Sequence, residues 1–268
     1  MPLQLQTTDI RGQLVFLGTG TSVGVPCIGC GCPTCSSSNP KNKRTRCSLV
    51  LGLSEGNLLI DTSPDLRTQL LRENVGIVHS VLYTHDHADH VFGLDDVRLF
   101  PHYLGHALPV YCEDFVESRI RKSFDYAFAE DNHGYGGGVP QLDMQRITAT
   151  EPFTLLGQLI KPFRLWHGKF RVLGFRIGNI AYCTDTNGIP PDSFSQLDGL
   201  DVLILDALRP RSHASHYSLD QAVEVATRLR PKRTYFTHMC HDLEHESTNS
   251  ALPIGMELAY DGLRLPLS

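Results

Sequence analysis

The stretch THDHADH (residues 84–90) is the strongest structural signal in this chain, and it directly follows an apolar run typical of a buried strand. His85 and His87 are separated by one residue, so in an extended segment they project to one side and can share an ion. Asp89 and His90 must point elsewhere, which suits a second ion beside the first. The alternative, a His-rich surface loop, is disfavoured because four ligand-type side chains rarely fall at this spacing without a metal.

Further ligand-type side chains end predicted strands downstream. His167 ends LIKPFRLWH, Asp185 follows the run NIAYCT, and His238 ends RTYFTH. A single histidine at a strand end is more often a capping or core residue than a ligand. Three such strand ends in one chain favour a common rim that gathers all of them.

Composition limits the class of protein. The chain has 268 residues, 41% hydrophobic and 20% charged, which is ordinary for a globular protein with a sizeable core. A net charge of -5 gives no basic footprint for nucleic acid. The start MPLQLQTTDI has no cationic and apolar signal pattern, and no run of about 18 apolar residues predicts a membrane span. We therefore expect a cytoplasmic protein that does not contact membranes.

Apolar runs closed by Gly, Asp or Thr predict consecutive strands in the first half and alternating strands and helices in the last third. The pattern favours helices covering a strand core of two packed sheets, in one domain over residues 1–268. Residues 134–140 are predicted to be a glycine-rich loop. One helix is predicted after Pro64, with Ser63 as its N-cap, and another over residues 113–129. A further helix is predicted over residues 218–230, with Ser218 as its N-cap.

HxHxDH followed by His, Asp and His at these separations resembles the metallo-β-lactamase superfamily over nearly the whole chain. The resemblance implies an α/β (α+β) fold, a four-layer αββα sandwich with metals along one edge of its sheets. It implies that Asp61, at the end of the strand NLLIDT, orients ligands without binding metal. The implied ligands are His85, His87 and His167 for one metal, Asp89, His90 and His238 for the other, and Asp185 between them.

The resemblance also implies the chemistry. Two divalent ions close together lower the pKa of a bridging water to roughly 7 and stabilise the developing oxyanion. The implied activity is that of a metal-dependent hydrolase, a phosphoric diester hydrolase that attacks small phosphodiesters, cyclic ones included, with metal-bound hydroxide. The nitrogen and oxygen ligands suit zinc, manganese or iron, and the sequence does not choose among them.

The cysteine run CIGCGCPTC (27–35) taken alone fits a redox centre, a disulfide cluster or a metal site; in a reducing compartment, metal or redox is favoured. Its pattern GVPxxGCxCxxC, paired with THMCH near the C-terminus, resembles PhnP-type phosphodiesterases. That resemblance implies a closed structural zinc site, distinct from the catalytic metals. Its implied ligands are Cys30, Cys32, Cys35 and His241, with Cys27 and Cys240 left as alternatives.

The resemblance assigns catalysis to Asp89, Asp185 and His216. His216 would donate a proton to the leaving oxygen or hydrogen-bond the phosphate, with Asp206 orienting it; a surface histidine near a helix cap is the alternative. The long basic arm of transfer-RNA-processing relatives is not evident, which favours a small-molecule phosphodiester over nucleic acid. A homodimer is left open.

Two other readings remain. The cysteine cluster also resembles PqqB-like proteins of pyrroloquinoline quinone biosynthesis, although the complete HxHxDH set weighs against them. A non-catalytic zinc-binding protein is the third reading. His102, His106 and His133 lie in or near loops, and we expect them on the surface.

Overall fold

The computed structural model describes residues 4–129 and 138–267. His133 and most of the predicted loop at 134–140 lie outside the described residues. The strands within the described part are β1 (Gln13–Gly18), β2 (Ser48–Leu53), β3 (Gly56–Ile60), β4 (Ser80–Leu82), β5 (Leu108–Cys112), β6 (Leu142–Arg146), β7 (Phe153–Leu155), β8 (Gln158–His167), β9 (Phe170–Ile177), β10 (Ile180–Cys183), β11 (Val202–Asp206), β12 (Arg233–Thr237), β13 (Met256–Leu258) and β14 (Arg264–Pro266).

Short helices connect and cover these strands. Within residues 4–129 and 138–267, four segments are 3₁₀-helical: Pro40–Asn42, Leu94–Leu99, Asp125–Ala127 and Pro191–Leu197. The α-helices of the described residues are α1 (Pro33–Ser36), α2 (Leu66–Glu73), α3 (Ala88–Val91), α4 (Phe100–Leu104), α5 (Asp114–Ser123), α6 (Leu219–Leu229) and α7 (His245–Ala251).

The strands form two seven-stranded sheets, in the orders β14-β1-β2-β3-β4-β5-β6 and β13-β12-β11-β10-β9-β8-β7. One apolar layer lies between the sheets, a second packs the first sheet against α2, α4 and α5, and a third packs the second sheet against α6. Every residue of β2 is buried, as expected for a strand covered on both faces. The predicted αββα sandwich is confirmed.

The strands that carry the candidate site run in one direction. Strands β3 and β4 are parallel, and so are β10, β11 and β12. Strand β8 is antiparallel to β9, which is antiparallel to β10, so β8 also ends on the same side. Since the carboxyl ends of parallel strands meet at one edge, the residues that follow these strands lie together.

Both ends of the described chain meet in the first sheet. Strand β14 pairs antiparallel with β1, and Gln13 lies opposite Pro266. Nearby, the carboxylate of Asp261 accepts hydrogen bonds from the backbone and hydroxyl groups of Thr19 and Thr45. The loop after β1 is therefore fixed by the C-terminal part of the chain.

One predicted helix start is confirmed and another is wrong. Ser218 is the N-cap of α6 and forms a capping box with Gln221. Helix α2 begins after Asp65, and Ser63 is not its cap. The Ser63 hydroxyl instead accepts a bond from the Asp65 backbone and donates to Gln69 Oε1, 3.0 Å away. The Asp65 carboxylate binds Arg46 at 3.0 Å, so it makes no capping bond.

The helix predicted over 113–129 is shorter in the structure, where α5 ends at Ser123 and a 3₁₀ segment follows. Over residues 4–129 and 138–267, no helix has both the length and the apolar character needed to cross a bilayer.

Candidate metal centre and active site

Three residues of the candidate site have left-handed backbone conformations. Asp61, Asp185 and His238 have φ angles of 63°, 51° and 59°, and each follows a strand of the shared edge. This conformation costs a non-glycine residue on the order of 1 kcal/mol or more and persists where surrounding structure enforces it. The strained turns concentrate where the side chains converge.

The structure brings the first predicted ligand set together. His85, His87, His167 and Asp185 each offer a ligand atom, and these atoms lie within 4.8 Å of one another. Three of these residues are buried, and His87 is half-buried. A cluster of three imidazoles and one carboxylate matches the donor set of a zinc or other transition-metal site.

The second predicted set also converges, and it shares Asp185 with the first. Ligand atoms of Asp89, His90, Asp185 and His238 lie within 4.8 Å of one another. The Asp185 carboxylate lies 3.1 Å from His90 Nε2 and 3.2 Å from His238 Nε2. Its distance to His85 Nε2, in the first set, is 3.8 Å. Asp185 is thus placed between the two groups, and its role as a shared metal ligand is a prediction.

Buried nitrogens without partners show that the residues fit a metal. Nε2 of His85, His90 and His238 is buried and has no hydrogen-bond partner within the described structure. An unsatisfied buried polar atom costs about 1–3 kcal/mol, so three such nitrogens beside the Asp185 carboxylate suit the binding of cations between them. Burial lowers the pKa of His85 well below its ordinary value, which keeps the imidazole in the neutral form that binds metals.

Outer hydrogen bonds fix the orientation of the imidazoles. Asp61 Oδ2 lies 2.7 Å from His90 Nδ1, and Asp61 also accepts bonds from the backbone and hydroxyl of Thr84. His167 Nδ1 donates to the carbonyl oxygen of Ser215 at 2.7 Å. Each of these rings therefore directs Nε2 into the cluster, which is how proteins usually orient metal-binding histidines.

The two site carboxylates remain ionised in this environment. Burial opposes ionisation, but the charged imidazolium forms of the neighbouring His90 and His238 hold the pKa of Asp89 well below its usual range. The same two histidines outweigh burial at Asp185 and lower the pKa of its carboxyl as well. Both residues are therefore carboxylates at neutral pH, the form that binds a divalent cation.

His216 lies against the metal cluster. Its Nδ1 lies 2.6 Å from Asp206 Oδ2, and its ring stacks on His238 with centroids 4.7 Å apart. His216 is also 4.6 Å from the His167 ring, centroid to centroid. Asp206, His216 and His238 offer ligand atoms within 4.8 Å of one another, so the predicted pair of Asp206 and His216 lies directly beside a predicted metal ligand.

The cysteine residues form a separate cluster. Cys30, Cys32, Cys35 and His241 place their ligand atoms within 4.8 Å of one another, and His241 Nδ1 lies 3.2 Å from Cys32 Sγ. The Cys35 backbone amide and the His241 ring lower the pKa of the Cys32 thiol to about 6, which favours the metal-binding thiolate.

The two alternative cysteines stand outside this group. The Cys27 backbone amide donates to Cys35 Sγ at 3.4 Å, and the Cys27 thiol donates to the carbonyl of Gly24. Cys240 Sγ accepts a bond from the Asp242 backbone instead. Cys27 therefore supports the cluster through its backbone.

A buried arginine supports the segment that carries His238 and His241, and sequence reasoning missed it. Arg44 is 1% exposed, and its guanidinium donates to the carbonyls of Cys240 and Leu243 at 2.9 and 2.6 Å. Burial lowers the pKa of Arg44 to about 10, which still leaves it charged at neutral pH. No local pattern marks such a residue, because its partners lie about two hundred residues away in the chain.

Two candidate histidines are distant from the clusters. His102 in α4 and His106 after it are exposed, as expected, and belong to none of the metal-type groups of the described residues.

The sequence matches the Beta-lactamase superfamily domain over residues 56–239. A crystal structure described as a new diphosphatase from the PhnP family superimposes with a TM-score of 0.89 at 43% identity, covering 96% of this chain and 98% of that chain. A zinc-bound PqqB structure from Methylobacterium extorquens has a TM-score of 0.76 at 18% identity, covering 95% of this chain and 100% of that chain, which shows the shared fold alone.

A protein named octanoyltransferase from Porphyromonas gingivalis is 34% identical over 254 residues, covering 94% of this chain and 51% of that protein. Coenzyme PQQ synthesis protein B from Methylobacterium radiotolerans is 36% identical over 100 residues, covering 32% of this chain and 33% of that protein. The chain thus spans about half the length of the first of these relatives, and its match to the second covers about a third of that protein.

Proposed function

We propose that this chain, which belongs to the PhnP family of the metallo-β-lactamase superfamily, is a hydrolase that cleaves small phosphodiesters, cyclic ones included. The carrying observation is the pair of ligand groups that share Asp185, with three buried imidazole nitrogens left for metals. When bound, two divalent ions such as zinc, manganese or iron supply a nucleophilic hydroxide at neutral pH and neutralise charge on the phosphoryl oxygens.

The residues of the chain have separate tasks in this proposal. His85, His87 and His167 would hold one ion, Asp89, His90 and His238 would hold the other, and the Asp185 carboxylate belongs to both ligand groups. Asp61 holds the His90 ring through Nδ1, and the Ser215 carbonyl does the same for His167. A separate zinc held by Cys30, Cys32, Cys35 and His241 stabilises the fold.

His216 is the proposed proton donor to the leaving oxygen. The Asp206 carboxylate accepts a hydrogen bond from Nδ1–H, which favours the imidazolium form, and the proton on Nε2 is the one transferred to the leaving oxygen. We expect His216→Ala to lower kcat about 10²-fold for 2′,3′-cyclic AMP, whose alkoxide leaving group needs a proton, and much less for bis(p-nitrophenyl) phosphate. Asp206→Asn should reproduce the pattern by removing the carboxylate that favours the imidazolium, whereas His102→Ala, at an exposed position of α4, serves as control. Equal losses on both substrates would contradict the proton-donor role.

The main test is metal-dependent turnover of bis(p-nitrophenyl) phosphate. We expect hydrolysis by protein loaded with zinc or manganese, loss with a chelator, and recovery on adding metal back. About three ions per chain are expected, two catalytic and one structural, whereas a single tightly held zinc would favour a non-catalytic zinc protein. Protein that holds both active-site ions and cleaves no phosphodiester would refute the proposal.

A diphosphate linkage is the second candidate, favoured by the PhnP-family relative described as a diphosphatase. Faster phosphate release from ADP than nitrophenol release from the diester would select it.

The PqqB-like reading is supported by curated matches over about a third of the chain. Oxygen-dependent turnover of a tyrosine-derived peptide by iron-loaded protein would select that one.

The proposed substrate is a small molecule rather than nucleic acid, and a cytoplasmic location and a homodimer stay predictions. The net charge of -5 supports a small-molecule substrate, because an acidic protein surface repels the polyanionic backbone of a nucleic acid.

A further inference from the structure

A cavity of about 470 Å³ opens beside the first metal-ligand group and borders His85 and His87. The other side chains that line this cavity have no role in the proposed hydrolysis. We call it the side cavity and define it by Asp86, Phe115, Arg119, Lys169, Phe170 and Arg171.

Two elements build the side cavity. Phe115 and Arg119 are four residues apart on α5, so they share one helix face. Strands β8 and β9 form a hairpin in which Phe170 lies directly opposite His167. Its turn contains Gly168 at φ 62°, and a Cβ there would come within 3.3 Å of the Ala214 carbonyl. The aromatic ring is thereby held next to a predicted metal ligand.

The side cavity carries excess positive charge. Two cations, Arg119 and Lys169, face one carboxylate, that of Asp86, which lies 3.6 Å from Arg119 Nε. Lys169 is exposed and forms no ion pair with another described residue. Arg171 also borders the side cavity, but its guanidinium lies 5.6 Å from the centroid of the Trp166 ring, with which it lines a neighbouring cavity. The unbalanced charge suits an anionic group.

The side cavity also exposes two large aromatic rings. Phe170 is 64% exposed and Phe115 is 44% exposed. The Phe170 ring meets His87 edge-on, with centroids 6.0 Å apart, so one face stays available for a planar group. Exposed phenyl rings beside cationic side chains provide both parts of a nucleotide site: stacking for the base and ion pairing for phosphate.

The cavity on the other side of the metals is different in chemistry. It has a volume of about 480 Å³, borders Asp89, and includes the exposed apolar side chains Val23 and Ile28. Its one arginine, Arg46, is paired with Asp65 at 3.0 Å. Of these two cavities beside the metal ligands, the side cavity is the one that combines an unneutralised cation with aromatic rings.

We propose that the side cavity is a specificity subsite for a mononucleotide portion of the substrate. The base stacks on Phe115 or Phe170, and a phosphate beyond the scissile one binds Arg119 and Lys169. This assignment rests on the proposed function for its place in catalysis, because it names the substituent carried by the cleaved phosphodiester.

The test compares the affinities of metal-loaded protein for inorganic phosphate, AMP and adenosine 3′,5′-bisphosphate, three ligands with no phosphodiester or diphosphate bond. We expect AMP to bind about tenfold more tightly than phosphate, and the bisphosphate about tenfold more tightly than AMP, in isothermal titration calorimetry. Phe170→Ala should remove most of the first gain. Arg119→Ala combined with Lys169→Ala should remove most of the second.

Lys122→Ala is the matched control, since Lys122 is an exposed cation on α5 that does not line the side cavity. Affinities within twofold of each other for all three ligands would overturn the subsite, as would unchanged gains in the variants. Turnover of bis(p-nitrophenyl) phosphate is measured in parallel. Diester turnover without tighter binding of the nucleotides would refute the subsite and support the phosphodiesterase activity. Tighter binding of the nucleotides without diester turnover would support the subsite and refute the phosphodiesterase activity.

Discussion

Replacing Asp185 with asparagine is expected to lower kcat/KM for bis(p-nitrophenyl) phosphate by at least about 10³-fold, roughly 4 kcal/mol of transition-state stabilisation. The reason is position: Asp185 belongs to both ligand groups and approaches His85, His90 and His238. An amide keeps the shape of the side chain and removes the charge shared by two cations. The loss therefore reports on electrostatics more than on packing.

Metal analysis accompanies this measurement. We expect folded Asp185→Asn protein to lose most of its active-site metal and to keep the zinc of the cysteine cluster, which lies on other residues. Asp143→Asn is the control, because Asp143 is exposed on β6 and belongs to no ligand group. A variant with full metal content and activity within tenfold of the parent would show that Asp185 is not a shared ligand.

Replacing Cys32 with serine has the largest expected effect on stability. The four-residue cysteine cluster joins the loop after β1 to the segment behind His238, so its loss frees both segments. We expect the free energy of unfolding to fall by about 3 kcal/mol and the Tm by roughly 5–10 °C. Zinc content should fall by one ion per chain. The folded fraction should keep its active-site metals.

Cys27→Ser supplies the matched comparison. Cys27 lies in the same cysteine run, but its thiol donates to the Gly24 carbonyl, and a serine hydroxyl can do the same. Its variant should keep the parent Tm and zinc content. If Cys32→Ser were as stable and as rich in zinc as Cys27→Ser, the structural zinc assignment would fail.

Much of the candidate centre was predictable because its residues end strands. The apolar runs before His85, His167, Asp185 and His238 predict buried strands, and parallel strands must bring such ends to one edge. The selection of Cys30, Cys32 and Cys35 rested on family resemblance, since spacing alone left Cys27 open. The structure places those three next to His241.

Other features depend on contacts that no local pattern reveals. Ser63 has the sequence of an N-cap, yet Asp65 precedes α2 and its carboxylate pairs with Arg46, a tertiary contact that overrides the local preference. Likewise, Phe115 and Phe170 resemble ordinary core residues in sequence. Only the packing of α5 beside the β8–β9 hairpin shows that both face one cavity.

The pairing of β14 with β1 has a kinetic consequence. Gln13 and Pro266 meet only after nearly the whole chain has been brought together, which imposes a large loop-closure entropy and a high contact order. The loop that carries the cysteines starts from β1, and its partner His241 comes from the late part of the sequence. We therefore expect the cysteine cluster to take up its metal late in folding, after the loop that follows β1 has met the segment of His241.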